Sequence, residues 1–268
     1  MAMSDTGIRI PVLPHGPITD GTNQFWANGR PFSIEHIPVY QLGDRAYDIG
    51  EPVAREIYGR TDSKFMVDMI ARYYDNGNIV LVKDGEKIAG SFVYQIHPEA
   101  NIMELSYGYV DPIHRNGNFR IGDKILSDNI ALAERLGLDF AFARSSCSCG
   151  IKSLLRGGLR TPLLGHDLPV DIFRERLGKI GYDVDERLRF DMSTLPFYEK
   201  YPLQMGWGED PRVKNILSQL DSNQTAVLGI ELGYSTDQEK MTEHIPDIYL
   251  PTQDFSLPEP LQDHSLSL

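Results

Sequence analysis

The feature that most constrains this chain is residues 104–136, ELSYGYVDPIHRNGNFRIGDKILSDNIALAERL. The run from Glu104 to Val110 is rich in strand formers and stops at Asp111-Pro112, because a proline has no amide to give to a sheet. A basic Asn/Gly loop follows from His114 to Gly122, and then apolar residues recur at helical spacing. The loop gives up side-chain bulk where backbone amides can face a ligand. The helix behind it directs its positive dipole end at the same spot. Strand, glycine-bearing loop and helix in this order form a cradle for an anion.

Composition decides which anions qualify. The 268 residues, 41% hydrophobic and 24% charged, suffice for one large domain with extensions. A net charge of −12 argues against nucleic acid and acidic membrane surfaces, which need an extended Lys/Arg face. An anionic ligand must therefore meet a local basic patch. No apolar run approaches the roughly 18 residues of a membrane span, and MAMSDTGIRI has no basic and apolar leader pattern, so a cytoplasmic protein is expected. The two cysteines, Cys147 and Cys149, are spaced too tightly for an unstrained structural bridge, which argues against a disulfide framework.

Along the chain, residues 1–31 are rich in Pro, Gly and Asn and read as an irregular arm. Residues 32–40 read as a first strand, and helices are expected over 46–58 and 64–74. The β-rich runs 78–82 and 87–95 meet across Asp84-Gly85, a hairpin signal, and 102–110 makes the third strand of a meander. The helix over 122–136 is stopped by Gly137, and 138–144 follows as a strand. Strand, crossover helix and strand imply a parallel pair. A short helical turn at 151–155, a helix over 170–177, a Gly-punctuated turn and a strand near 187–192 complete the domain. From about Pro202 the character changes: one helix is expected at 213–220 and an acidic, aperiodic tail from His244.

This order of elements resembles the GNAT superfamily of N-acetyltransferases over residues 32–192, and three local matches support it. Tyr109-Val110-Asp111-Pro112 with Arg115 looks like the family's Val-x-Pro-x-x-Arg lead into its acetyl-CoA pyrophosphate loop. Gly122 followed by Ile125-Leu126 looks like the end of that loop and the start of its helix. The run from Arg176 to Tyr182 looks like the family's Leu-Gly-Phe turn. The resemblance implies a mixed α/β sheet flanked by helices, with an arm at 1–31 and an extension at 193–268. The family loop reads Arg/Gln-x-x-Gly-x-Gly/Ala, and here the pattern departs. Counted from Arg115, Asn118 and Arg120 stand at the glycine positions; counted back from Gly122, Arg120 stands at the first. A loop two residues longer accounts for both.

The resemblance implies an N-acyltransferase, most simply an acetyltransferase. It would move an acyl group from acetyl-CoA or another acyl-CoA to an amine of a small molecule or peptide. Val110, Arg115, Asn118, Phe119, Arg120, Ile121 and Gly122 would hold the donor. Glu104 stands where many members place a general base, which removes a proton from the attacking amine. Tyr107 and Tyr109 are candidates for the acceptor pocket. Cys147, in Ser145-Ser146-Cys147-Ser148-Cys149, is a candidate acyl carrier or pantetheine contact. Lys152 to Arg160 supplies a second basic cluster, Tyr182 an aromatic packing position, and His114 a solvent-exposed side chain beside the loop. No metal site is expected, since Cys147, Cys149 and His166 lack a fourth ligand. Two alternatives remain open at this point: transfer from an acyl-carrier protein, and a non-catalytic ligand-binding or interaction module. The tail after Pro202 would pack on the core, bridge a homodimer or stay unfolded.

Overall fold

Local sequence builds the first half of the sheet. In a computed structural model, which describes residues 24–27, 30–58, 77–115, 121–194 and 210–232, β1 (Gln24–Ala27) and β2 (Arg30–Pro38) form an antiparallel edge pair. Strands β3 (Asn78–Asp84), β4 (Lys87–His97) and β5 (Ile102–Val110) continue antiparallel from β2. The β3–β4 turn needs a left-handed residue, and Gly85 supplies it at φ 61°. Helix α1 (Arg45–Tyr58) follows β2, so the expected strand, helix and meander are all present. The helix expected over 64–74 lies outside the described residues.

The second half is assembled over long distances. Helix α2 (Ile121–Arg135) ends where Gly137 takes φ 68°, and β6 (Phe140–Ser145) then pairs parallel with β5. Helices α3 (Ser148–Arg156) and α4 (Val170–Lys179) lead to the short β7 (Arg189–Asp191). Helix α5 (Pro211–Leu217) and β8 (Gln224–Glu231) follow. The sheet order is β1-β2-β3-β4-β5-β6-β8-β7. It is a mixed sheet flanked by helices, as the sequence implied.

Two boundaries need correction. Residues 24–27, placed in the irregular arm, are the edge strand β1. The larger change concerns residues 193–268, read as an extension: β8 lies inside the sheet, antiparallel to β6 on one side and β7 on the other. The physical reason is burial on both faces, since Ala226, Val227 and Leu228 are all fully buried. Such a strand shows a continuous apolar run instead of alternation. The domain that begins at β2 therefore cannot close at residue 192. The tail from His244 is outside the described residues.

Alternation divides the core. Val80 and Val82 of β3, with Ala141 and Ala143 of β6, face a cluster that includes Ile125, Leu126 and Leu132 of α2, Ile151 of α3 and Ile216 of α5. On the opposite face, Phe140 and Phe142 meet Phe173 and Leu177 of α4, and Ile79 and Leu81 meet Ala46 and Ile49 of α1. Each large side chain buried in this way stabilises the fold by roughly 1.5–3 kcal/mol. Close approach of α2 to the sheet depends on Gly90, where a Cβ would stand 3.1 Å from both Ile121 and Ile125.

Candidate active site

Strands β5 and β6 form a wedge. They pair in parallel from Ile102 opposite Phe140 to Leu105 opposite Ala143, and their register ends there. Each keeps its other neighbour: β5 stays with β4 up to Val110 opposite Gly90, and β6 stays with β8 up to Ser145 opposite Ala226. Residues 106–110 thus present a strand edge toward a gap. A bulge opens at the same place, because Ser106 and Tyr107 of β5 together oppose Val93 of β4. An extra residue reverses the parity of the strand. Met103 and Leu105 face α2 before the bulge, and Val110 packs on that side after it. Tyr109 is buried. The side chain of Tyr107 is outside the described residues.

At the far end of this edge stand the residues expected to hold a donor. The Asp111 carboxylate accepts from the Ile113 amide at 2.9 Å and caps the turn Pro112–His114. The Arg115 Nε donates to the Val110 carbonyl at 2.7 Å, which anchors a cation at the strand end. Ile121 is buried, and Gly122 lets the α2 N-terminus touch the strand: a Cβ there would lie 3.3 Å from Val110 Cγ2. Asp123 in the first turn would repel a bound anion, but Arg156 of α3 pairs with it at 3.0 Å. That gives one member of the 152–160 basic cluster a local task; Arg160 bridges to Gly229 of β8 through its backbone. Val110, Arg115, Ile121 and Gly122 are therefore neighbours. Asn118, Phe119 and Arg120 lie outside the described residues. His114 departs from the solvent-exposed expectation: it packs edge-on against Phe32 at 5.5 Å, and its Nε2 is 3.7 Å from Asp84.

Glu104 sits at the closed end of the wedge, and its side chain is 4% exposed. Arg144 Nη2 of β6 donates to its Oε1 at 3.0 Å, and the Tyr182 hydroxyl lies 3.0 and 2.9 Å from its two oxygens. The His97 Nε2 is 3.5 Å from Oε2, while its Nδ1 is 3.6 Å from Glu99. Arg144 in turn lies 4.4 Å from the Tyr182 ring centre and 5.1 Å from that of Phe190. Burial by itself would raise the Glu104 pKa. The Arg144 charge, His97 and the Tyr182 hydroxyl outweigh burial and bring it down to about 2. Burial likewise works against a charged His97, yet Glu104 and Glu99 push it up to about 9.

These contacts change the chemistry available to Glu104. A general base works best with a pKa near the working pH and with access to the amine. A buried carboxylate at about 2, already holding Arg144 and Tyr182, has neither property. Tyr182 changes role as well. Besides packing on Phe142 and Phe190, it carries a hydroxyl committed to Glu104. His97 and Arg144 escaped sequence reasoning. The available signal was Arg144 itself, one cation at the end of the apolar strand FAFARS, since a buried arginine demands an acid.

Cys147 begins α3 at the mouth of the wedge. Its sulfur is 2.7 Å from that of Cys149, and both thiols are free and partly exposed. Among the described residues, no helix is long and apolar enough to cross a membrane.

No family model matches the chain, and no curated protein matches it. Solved structures with similar architecture include an acetyltransferase from Bacillus subtilis in complex with CoA, at 15% identity and TM-score 0.45 over 75% of this chain and 99% of that one. A probable acetyltransferase of the GNAT family from Chromobacterium violaceum matches at 13% identity and TM-score 0.45, over 84% and 98% of the two chains. The IAA acetyltransferase from Bacillus cereus matches at 15% identity and TM-score 0.41, over 75% and 99%.

Proposed function

We propose that this protein transfers an acyl group from an acyl-CoA, most simply acetyl-CoA, directly to an amine of a small molecule or peptide. The observation that carries this reading is the wedge: parallel β5 and β6 part after Leu105 and Ala143, and β5 runs on to the α2 N-terminus. The edge of β5 away from β4 after Leu105 offers main-chain groups to the amides of a pantetheine arm, as a strand edge does to an added peptide. It spans about 16 Å at ~3.3 Å per residue, so it leads an extended ligand from the wedge to the helix terminus. There the α2 amides, Gly122 and Arg115 favour phosphate, and the family resemblance assigns Asn118, Phe119 and Arg120 to the same task. The bound thioester supplies the activated acyl carbon.

In this reading Glu104 is a positioning residue. It fixes the Arg144 guanidinium and the Tyr182 hydroxyl at the closed end of the wedge, and the proton of the attacking amine leaves to solvent water. Tyr107, at the bulge, belongs to the strand edge that the thioester end would meet.

Thermal shift with CoA and acetyl-CoA tests donor binding. A ligand that binds only the folded chain, at a hundred times its Kd, stabilises by about 2.7 kcal/mol. Thiol release from acetyl-CoA with an amine panel tests transfer. No shift and no release would replace this reading with a non-catalytic module. Release from a loaded carrier protein, with weak binding of free CoA, would replace CoA as donor. Glu104→Gln separates base from positioning residue: loss of a base removes the acidic limb of the kcat/KM profile, whereas loss of a positioning residue lowers kcat/KM at every pH.

A further inference from the structure

Direct transfer leaves Cys147 and Cys149 without a task, yet the fold brings them together. Strand β6 ends at Ser145, whose hydroxyl accepts from the Cys147 amide at 3.2 Å and donates to the Cys147 carbonyl at 3.3 Å. The first turn of α3 is pressed against the same hydroxyl: a Cβ on Gly150 would stand 2.6 Å from Ser145 Oγ. This seating puts the N-cap side chain, Cys147, beside the Cys149 side chain, with 2.7 Å between sulfurs and both partly open to solvent. Among the described residues, no group of three or more His, Cys, Asp and Glu is arranged to hold a metal ion. What remains is a two-thiol site.

We propose that Cys147 and Cys149 form a redox-active dithiol, which a hydroperoxide oxidises to an intramolecular disulfide at the mouth of the wedge. In the first step the Cys147 thiolate attacks the distal peroxide oxygen. The O–O bond breaks, and with one proton the leaving oxygen departs as water from hydrogen peroxide, or as an alcohol from an alkyl hydroperoxide. Cys147 is left as a sulfenic acid. In the second step the Cys149 thiol attacks the Cys147 sulfur, forming the S–S bond and releasing the sulfenic oxygen as water. Two thiols lose two electrons and two protons, and one peroxide is reduced.

The order of attack follows from the surroundings. Cys147 is the N-cap of α3, where the helix amides favour a thiolate, and the neighbouring Cys149 thiol lowers its pKa further, against burial. Cys149 is pushed the other way by the same contact and by burial. The thiolate is the nucleophile, so Cys147 reacts first and Cys149 resolves. The ring closed by a Cys-x-Cys disulfide is small, and an exposed, strained bridge is readily reduced by an external dithiol.

Intact mass spectrometry of the full chain under non-reducing conditions tests the proposal without using acyl transfer, so its failure leaves the proposed function standing. Hydrogen peroxide should remove two hydrogens from the monomer and protect both cysteines from alkylation, and dithiothreitol should restore both. Cys149→Ser should stop at a sulfenic acid on Cys147, trapped by dimedone, and Cys147→Ser should give no dimedone adduct under the same exposure. Two thiols still alkylatable after peroxide, a disulfide-linked dimer, or a sulfenic acid on Cys149 would each overturn the assignment.

Discussion

The two sides of the wedge are built differently. From β1 to β5, each strand pairs with its neighbour in sequence, and short turns such as Gly85-Glu86 set the register. Beyond β5 short turns no longer set the pairing: β6 joins β5 in parallel through a helix, and β8 inserts between β6 and β7, so that Phe140 of β6 also pairs with Glu231 of β8. One buried ion pair, Glu104 to Arg144, crosses from one side to the other at the closed end of the wedge. Local turns can fix a sheet that stays closed, whereas a parallel pair that must part needs long-range ties. The stability of the second side should therefore rest on few residues, each of large effect.

Removal of β8 should have the greatest consequence. A chain ending at residue 209 loses α5 and β8, strips β7 of its strand partner, leaves β6 with β5 alone, and exposes Phe142 and Leu177. No cooperative thermal transition is expected by circular dichroism; a retained transition would mean that β1 to β6 fold alone. Next comes Arg144→Ala, which leaves Glu104 buried without its main counter-charge. Removal of one partner of a buried pair costs about 3–5 kcal/mol, measured by urea unfolding. Replacement of both, as in Glu104→Gln with Arg144→Met, should recover most of that loss. If the double variant is no better than Arg144→Ala, the pair is not the tie described.

The same contrast governs what could be read from the sequence. The hairpin at Asp84-Gly85, the strand at 102–110 and the helix stop at Gly137 are local, and all three stand where the residues put them. Strand β8 was missed: Thr225 to Ile230 is an apolar run behind the turn formers Asp221-Ser222-Asn223, but nothing local says that it inserts between β6 and β7. The site divides in the same way. Val110, Arg115 and Gly122 are close in sequence and were found together. The surroundings of Glu104 come from the end of β4, from β6 and from the turn after α4, and their convergence decides whether its pKa rises or falls. A glutamate alone on a strand carries no such sign.

Tyr182→Phe keeps the ring between Phe142 and Phe190 and removes the hydroxyl from Glu104. Glu104 stays paired with Arg144, so a loss of about 1–3 kcal/mol is expected, smaller than for Arg144→Ala. A loss equal to that of Arg144→Ala would show that Tyr182 and the guanidinium act as one unit.

The dependence of stability on pH gives the smallest and most specific signal. Glu104 has its pKa lowered from 4.5 to about 2, so its contribution is present above 4.5 and is lost as pH falls toward 2. His97 has its pKa raised from 6.5 to about 9, so its contribution is present below 6.5 and is lost as pH rises through 9. Stability from this cluster should therefore be flat between 4.5 and 6.5 and decline on both sides. Glu104→Gln should weaken both limbs, since it removes the lowered carboxylate and a carboxylate that keeps His97 protonated. Glu99→Gln should move the alkaline limb to lower pH and remove the small acid contribution of Glu99, whose pKa His97 lowers, while leaving the acid limb of Glu104 in place. The displacement should be modest, because the Glu99 side chain is 55% exposed and solvent screens its charge. An acid limb altered as much by Glu99→Gln as by Glu104→Gln would mean that the imidazolium transmits charge between the two carboxylates, and that the tie across the wedge extends to the protein surface.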